Sequence, residues 1–148
     1  NWAERGKAYQ VELIKMVDED TNAFNRIMDA FGLPKKTDEE KAARHQAIQD
    51  ATKFATEVPF KTMMLCYECM EVVKAMAEIG NPNSVTDAGV GALAARSGVI
   101  GAFLNVKINA AGLDDKEYAN DIISRGEKVV EMAKQMETDI LNIVNSKI

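Results

Sequence analysis

The sequence predicts an all-α protein built as an antiparallel bundle of four or five long helices, and three observations carry that expectation. Only three Pro and nine Gly interrupt 148 residues, which leaves few helix breakers. Apolar residues recur at three- and four-residue steps over long stretches, the helical period. No run alternates apolar and polar residues in the manner of a strand. At 47% apolar and 28% charged the chain has an ordinary globular balance, so residues 1–148 are expected to form one domain.

The first helix is expected from Trp2 to Phe31, with Leu13, Val17, Phe24, Ile27, Met28 and Phe31 as its apolar stripe, ended by Gly32-Leu33-Pro34. Thr37 followed by Glu40 forms a capping box that opens a second helix. Pro59 has no amide hydrogen to give to a helix, so the stretch from Thr37 to Ile79 reads as one bent helix or as two. Gly80 is expected to close it in a left-handed conformation. Asn81-Pro82-Asn83-Ser84 is the most turn-prone stretch, and Ser84 with Asp87 is expected to cap a helix from Val85 to about Ala111. Asp114-Asp115 opens the last helix, whose stripe runs from Ala119 to Val144. Ala88 to Leu104 contains one charge, Arg96. It is short, glycine-rich and centrally charged, so it reads as a core helix and not a membrane span. Elongated helices in a chain this small leave apolar surface uncovered, and a homodimer or higher homo-oligomer is the expected remedy.

Charge and cysteine content narrow the function. Eighteen Lys and Arg against 23 Asp and Glu give a net charge of −5, which argues against a nucleic-acid partner. Two Cys and one His suit a reducing cytoplasm and supply neither a disulfide framework nor a zinc site, so no metal is expected. Cys66 and Cys69 have the spacing of a redox motif but sit mid-helix, and they read as core thiols. His45, on a charged helix, reads as a surface histidine.

Two constellations could carry chemistry. Asp20 falls three residues after Val17 and four before Phe24, inside the apolar stripe. Burial there would disfavour its charged form and suit it to general acid work, unless it pairs with Arg96 and only specifies packing. Asn81, Asn83, Ser84 and Asp87 form a polar turn that feeds a helix N-terminus. Beyond it, Asp87, Gly91, Ala94, Gly98, Gly101 and Asn105 lie on one column, suited to close helix packing or to a flat ligand. Asn105 and Asn109, one turn apart in an apolar run, are expected to be buried and to bond a ligand ring or a partner helix backbone. Lys35, Lys36, Lys41 and Arg44 form a basic patch, either a solvated face or an attractor for a polyanionic tail.

Val17-Asp18-Glu19-Asp20-Thr21-Asn22-Ala23-Phe24-Asn25, Leu33-Pro34-Lys35-Lys36-Thr37 with Glu39-Glu40-Lys41, the stretch from Gly80 to Gly91, and Gly101-Ala102-Phe103-Leu104-Asn105-Val106-Lys107-Ile108-Asn109 together resemble, in this order, the cyclodeaminase domain of formiminotransferase-cyclodeaminase. The resemblance runs from about Leu13 into the last helix. It implies an all-α fold, dimers that build larger assemblies, and conversion of 5-formiminotetrahydrofolate to 5,10-methenyltetrahydrofolate with release of ammonia, the ammonia-lyase type of reaction used in one-carbon metabolism and histidine degradation. It also implies that Asp20, the second Asp of the V-D-x-D-x-x-A-F motif, is the proton donor. Asp87, Asn81, Asn83, Ser84, Asn105 and Asn109 would then orient the substrate, with Lys35 and Lys36 near its polyglutamate tail and no cofactor beyond the folate itself. Methenyltetrahydrofolate cyclohydrolase activity and a non-catalytic helical assembly module are the alternative readings. Relatives carry a glycine-rich S-x-P-G-G-G-S segment ahead of this region that has no counterpart here. The N-terminal part of the family domain is therefore expected to be missing, and a fused or associated formiminotransferase domain is expected as a partner.

Overall fold

The computed structural model describes residues 1–148 as four long helices and no strand: α1 (Trp2–Gly32), α2 (Asp38–Ile79), α3 (Val85–Ala111) and α4 (Lys116–Asn145), with a 3₁₀ turn at Pro82–Ser84 before α3. The all-α expectation holds, and the count is four, because α2 runs unbroken for 42 residues with Pro59 inside it. Neighbours in sequence run antiparallel. Arg5 of α1 pairs with Glu71 of α2 at 2.7 Å, while Arg44 near the start of α2 reaches Phe31 at the end of α1. Phe103 of α3 meets Gly126 of α4 so closely that a Cβ at Gly126 would stand 2.4 Å from the ring. The main core lies among α2, α3 and α4 around Met63, Met70, Val99, Val106, Ile122 and Ile140, each worth about 1.5–3 kcal/mol when fully buried. A smaller cluster of Met16, Ala23, Ala55 and Val58 holds α1 to α2.

The buried seam of α1 differs from the stripe read in the sequence. Met16, Ala23 and Ala30 face inward, with Leu13 and Ile27 half-buried beside them. Val17, Phe24, Met28 and Phe31 are exposed. Both sets have helical spacing, and small alanines allow a closer approach to α2 than aromatic rings do, so apolar periodicity alone selected the wrong face. The apolar segment that contains Arg96 packs along one side against α2 and α4, so the buried core helix expected there is buried only in part. The span Pro82–Ala111 is nevertheless long and apolar enough to cross a membrane by length and composition, and 28% of its apolar window is buried, because Val90, Leu93, Leu104 and Ile108 face outward. Arg96 itself is paired with Glu137 of α4.

Helix ends are closed by a mixture of local and distant groups. The expected capping box is present, with Thr37 Oγ1 accepting from Glu40 N at 3.2 Å and Glu40 Oε2 accepting from Thr37 N at 3.3 Å. Asp115 accepts from Tyr118 N at the start of α4. Ser84 makes no capping bond: with φ −114° and ψ 17° it lies outside the extended conformation a cap needs, because the 3₁₀ turn runs directly into α3. Asn81 caps that turn instead, accepting from Asn83 N at 3.0 Å. Gly80 is not left-handed either; its φ is −73°. A Cβ there would stand 2.4 Å from the Met76 carbonyl oxygen, so the position excludes a side chain for reasons of space. The last carbonyls of α2, at Ala77 and Glu78, accept from Lys147 Nζ at 2.6 and 2.7 Å. Arg44 likewise donates to Phe31 O at the end of α1, and Lys116 to Ala111 O and Leu113 O after α3. None of these helices has a basic residue in its own last turn, so the cation comes from elsewhere in the chain.

Pro59 sets the middle of the structure. Without an N–H it leaves the carbonyl of Ala55, one turn earlier, with no helical donor. Asn109 of α3 fills that vacancy, donating from Nδ2 to Ala55 O at 2.6 Å. Of the two partners the sequence leaves open for Asn109, a ligand ring and a helix backbone, the structure contains the second. Asn109→Ala is expected to destabilise the fold by about 1–3 kcal/mol, the cost of stranding a buried carbonyl. In a Pro59→Ala background, where residue 59 regains its N–H, the same change should cost much less. Urea unfolding of the four proteins measures that coupling; additive effects would show that the two residues act separately.

Candidate functional site

Asp20 lies on the inward heptad seam of α1, at the position between Met16 and Ala23, where apolar neighbours would predict burial. It is exposed in the single chain, so the desolvation expected of it is not supplied by the chain's own packing, and it has no partner in Arg96. What it does have is a cleft. Leu13, Met16, Val17 and Asp20 of α1, Pro59 and Thr62 of α2, and Ala102 and Asn105 of α3 enclose about 230 Å³. The floor of the cleft is the proline turn of α2, which Asn109 stitches to α3 directly below. Asn105 is exposed and not buried as expected. Its Nδ2 donates weakly to Gly101 O at 3.3 Å, and its Oδ1 has no protein donor, so the amide is available at the cleft wall. Thr62 donates its hydroxyl to Val58 O at 3.2 Å. The cleft thus sets one carboxylate, one amide and the Thr62 hydroxyl among mostly apolar walls, the inventory for holding a polar atom and exchanging a proton with it.

The polar turn forms a second cleft at the other end of α3. Asn81, Ser84 and Asp87 line it with Gly80, Val72, Val73, Met76, Ala88 and Gly91, around about 390 Å³. Asn83 does not line it. From Asp87 to Asn105 the continuous helix rises about 27 Å at 1.5 Å per residue. One chain therefore does not bring these residues to the atoms that Asp20 can reach, and the constellation read as one site in the sequence is two. The small-residue column serves helix packing: a Cβ at Gly91 would lie 3.5 Å from Val73, and one at Gly98 would lie 2.8 Å from Cys66 Sγ.

Lys35 and Lys36 are exposed in the connection between α1 and α2 and line neither cleft. Lys41 pairs with Asp38 at 2.8 Å and Arg44 is committed to Phe31 O. The basic patch is partly consumed by helix ends, a use that charge counting cannot see.

A polar belt that sequence reasoning missed joins α2 to the connection between α3 and α4. The exposed His45 meets Asp114 at 2.6 Å. Gln49 donates to Gly112 O at 3.2 Å and accepts from Asp114 N at 2.8 Å. Tyr118 donates to Glu57 at 3.1 Å, and Lys53 stands 4.2 Å from the centre of its ring. Burial, reinforced by the Glu57 carboxylate, pushes the Tyr118 phenol up to about 12. These partners lie more than sixty residues apart in sequence and leave no local signal.

Comparison with known proteins gives the fold and the clefts a family. The family profile of formiminotransferase-cyclodeaminase matches residues 1–128. The methenyltetrahydrofolate cyclohydrolase of Methylorubrum extorquens is 41% identical over 145 residues, which cover 98% of this chain and 70% of that protein. The formimidoyltransferase-cyclodeaminase of Gallus gallus is 33% identical over 136 residues, 92% of this chain but 25% of that protein. The crystal structure of formiminotetrahydrofolate cyclodeaminase from Thermotoga maritima shares the fold with a TM-score of 0.80 at 19% identity, over 95% of this chain and 66% of that one. The chain belongs to the formiminotransferase-cyclodeaminase family, as the collinear motifs led us to expect. It spans about a quarter of the length of the bifunctional relative from Gallus gallus.

Cys66 and Cys69 are free, half-buried thiols, and Cys69 donates its S–H to Cys66 O at 3.1 Å. Burial pushes both thiols up, Cys69 to about 11, with Cys66 adding to the effect. The thiolate is the reactive form, so Cys69 should alkylate on the order of a hundredfold more slowly than a free thiol at neutral pH. Iodoacetamide labelling of native and urea-unfolded protein checks this; equal rates would mean the thiol is not held as described.

Proposed function

We propose that the chain works on the one-carbon unit carried between N5 and N10 of tetrahydrofolate, with Asp20 as the proton donor and Asn105 as a positioning group in the same cleft. Membership of a family of folate-processing enzymes supports the substrate class. The single observation that carries the assignment of roles is that Asp20, the second Asp of the V-D-x-D-x-x-A-F motif, opens with Asn105 onto a cleft whose other polar side chain, Thr62, gives its hydroxyl hydrogen to Val58 O.

As a formimidoyltetrahydrofolate cyclodeaminase, the reaction begins with attack of N10 on the formimino carbon of 5-formiminotetrahydrofolate. The tetrahedral adduct carries an amine that must gain a proton before it leaves as ammonia. Asp20 gives that proton, and the resulting carboxylate faces the delocalised cation of 5,10-methenyltetrahydrofolate. One carboxyl group accomplishes both tasks, and the chemistry asks for no covalent nucleophile. The folate is the only small molecule the mechanism requires. A formiminotransferase domain, fused or associated, would supply the formimino substrate.

A second reading is favoured by the 41% identity to a methenyltetrahydrofolate cyclohydrolase. Water then adds to the methenyl carbon and the tetrahedral adduct opens toward a formyl product, with Asp20 again moving the proton. Both readings pass through a tetrahedral carbon between the same two nitrogens, so the cleft alone serves either.

Supplying 5-formiminotetrahydrofolate and 5,10-methenyltetrahydrofolate in separate assays distinguishes them. Equal release of ammonia and methenyltetrahydrofolate from the first identifies the cyclodeaminase, whereas catalysed loss of methenyl absorbance from the second without ammonia identifies the cyclohydrolase. Asp20→Asn should lower whichever rate is found by about 10²–10⁴-fold, the contribution of a positioned general acid. A folded variant with undiminished rate removes Asp20 from the mechanism.

A further inference from the structure

The cleft beside Asp20 has no cationic side chain and few hydrogen-bond donors. No Lys, Arg or His lines it, and Pro59 in its floor has no N–H. Its polar side chains are Asp20, Thr62 and Asn105. A threonine hydroxyl has one hydrogen and two lone pairs, and Thr62 gives that hydrogen to Val58 O at 3.2 Å. A carbonyl can only accept, so the direction of this bond is fixed. What Thr62 offers to the cleft is therefore an oxygen that can only accept. Asn105 is oriented by the same logic: its Nδ2 faces Gly101 O, which leaves Oδ1 outward. Mid-helix threonines often bond back to the carbonyl four residues earlier, and Thr21, Thr52, Thr56 and Thr138 do so here. Among these threonines only Thr62 lines the Asp20 cleft.

We infer that Thr62 is a positioning residue: its hydroxyl oxygen, with Asn105 Oδ1, accepts hydrogens from the small group at the reacting carbon and so aims that group's lone pair. The inference rests on the reaction proposed for Asp20 and deepens it. At about 230 Å³ the cleft is smaller than the ~300–1,000 Å³ of sites that enclose a drug-sized ligand, so it takes the reacting end of a folate and not the whole molecule.

Both readings of the chemistry place a group with two hydrogens there. In the deaminating reaction the tetrahedral carbon carries an NH2 group with one lone pair, and rotation about its C–N bond decides what that lone pair faces. With its hydrogens on Thr62 Oγ1 and Asn105 Oδ1, the lone pair is left for the proton of Asp20. The nitrogen takes that proton, the C–N bond breaks and its electron pair leaves on ammonia. A lone pair of N5 or N10 then forms the C=N bond of the methenyl cation, and Asp20 is left as the carboxylate. In the hydrolytic reaction the group is water. One hydrogen goes to Thr62 or Asn105 and the other to the Asp20 carboxylate, while an oxygen lone pair forms the C–O bond and the methenyl π electrons withdraw onto nitrogen. A donor in place of the Thr62 oxygen would hold the lone pair and turn the hydrogens toward the acid. The arrangement therefore depends on Val58 O keeping the hydroxyl hydrogen occupied.

Thr62→Val keeps the branched shape without the oxygen, and Thr62→Ser keeps the oxygen without the branch. With whichever folate the unaltered protein turns over, Thr62→Val should lower kcat about 10–100-fold, the range for a hydrogen bond to a group that gains charge. KM should stay within about threefold, because the bond tightens only as the reacting carbon becomes tetrahedral. Thr62→Ser should recover roughly half of the rate or more, since the acceptor is restored. In an Asp20→Asn background, where there is no proton to aim for, Thr62→Val should cost less than about threefold. Full turnover by Thr62→Val overturns the inference. So does a Thr62→Ser protein as slow as Thr62→Val, which would place the effect in packing, and so does an undiminished loss in the Asp20→Asn background. An unaltered protein that turns over neither folate overturns the proposed reaction, and this inference with it.

Discussion

A helix of 42 residues with a proline in its interior must leave one carbonyl without a donor, and this protein is arranged around how that carbonyl is satisfied. The Asn109 amide reaches across from α3 to Ala55 O, so the weakest turn of the longest helix becomes the point at which two helices are tied. No buried side-chain nitrogen or oxygen in the structure lacks a hydrogen-bond partner, and the Pro59 turn obeys the same rule through its backbone. The register of α3 on α2 follows from that tie, since Gly98 above and Gly91 beyond it must meet Cys66 and Val73 at close range. The Asp20 cleft is built on the same turn: Pro59 and Thr62 form its floor, and α3 is held where Asn105 can form its wall.

This arrangement separates two kinds of polar residue that look alike in the sequence. Asn105 and Asn109 are one turn apart in the same apolar run. A rotation of about 40° between them on the helix turns one toward α2 and the other toward the cleft. The first gives its Nδ2 to Ala55 O, and the second keeps its Oδ1 free at the cleft wall. A mid-helix amide near a proline four residues downstream of an unpaired carbonyl is a structural device, whereas one facing a carboxylate across open space is available for chemistry.

Much of the fold was legible in the sequence because helix formation here is governed by local pattern. The long helices, the capping box at Thr37, the start of α4 after Asp114-Asp115 and the absence of strands all follow from period and composition. What escaped depends on distance in sequence. The cap expected from Ser84 gave way to a 3₁₀ turn, and the left-handed conformation expected at Gly80 was made unnecessary by Lys147. The choice between two equally periodic faces of α1 turned on the size of alanines against a neighbour that periodicity does not reveal. Of the candidate site, the place of Asp20 on the inward seam of α1 was readable from its apolar neighbours. Its exposure was not, nor was the separation of Asp20 from Asn81, Ser84 and Asp87, because residues placed on one column of a helix can still lie most of a helix length apart.

The cation that closes α2 has a consequence in time. Lys147 closes a helix that ends at Ile79, donating to carbonyls 70 and 69 residues earlier in the chain. As the chain emerges during synthesis, α2 is present in full long before its last carbonyls have their donor. The end of α2 that shapes the Asn81 cleft therefore lacks these two hydrogen bonds until residue 147 has been made and α4 has docked. The Asp20 cleft is lined by no residue beyond Asn105 and is fixed by Asn109 four residues later, so its walls can be assembled first. Of the two clefts, the one at Asp20 can be complete while the one at Asn81 still waits for its clamp.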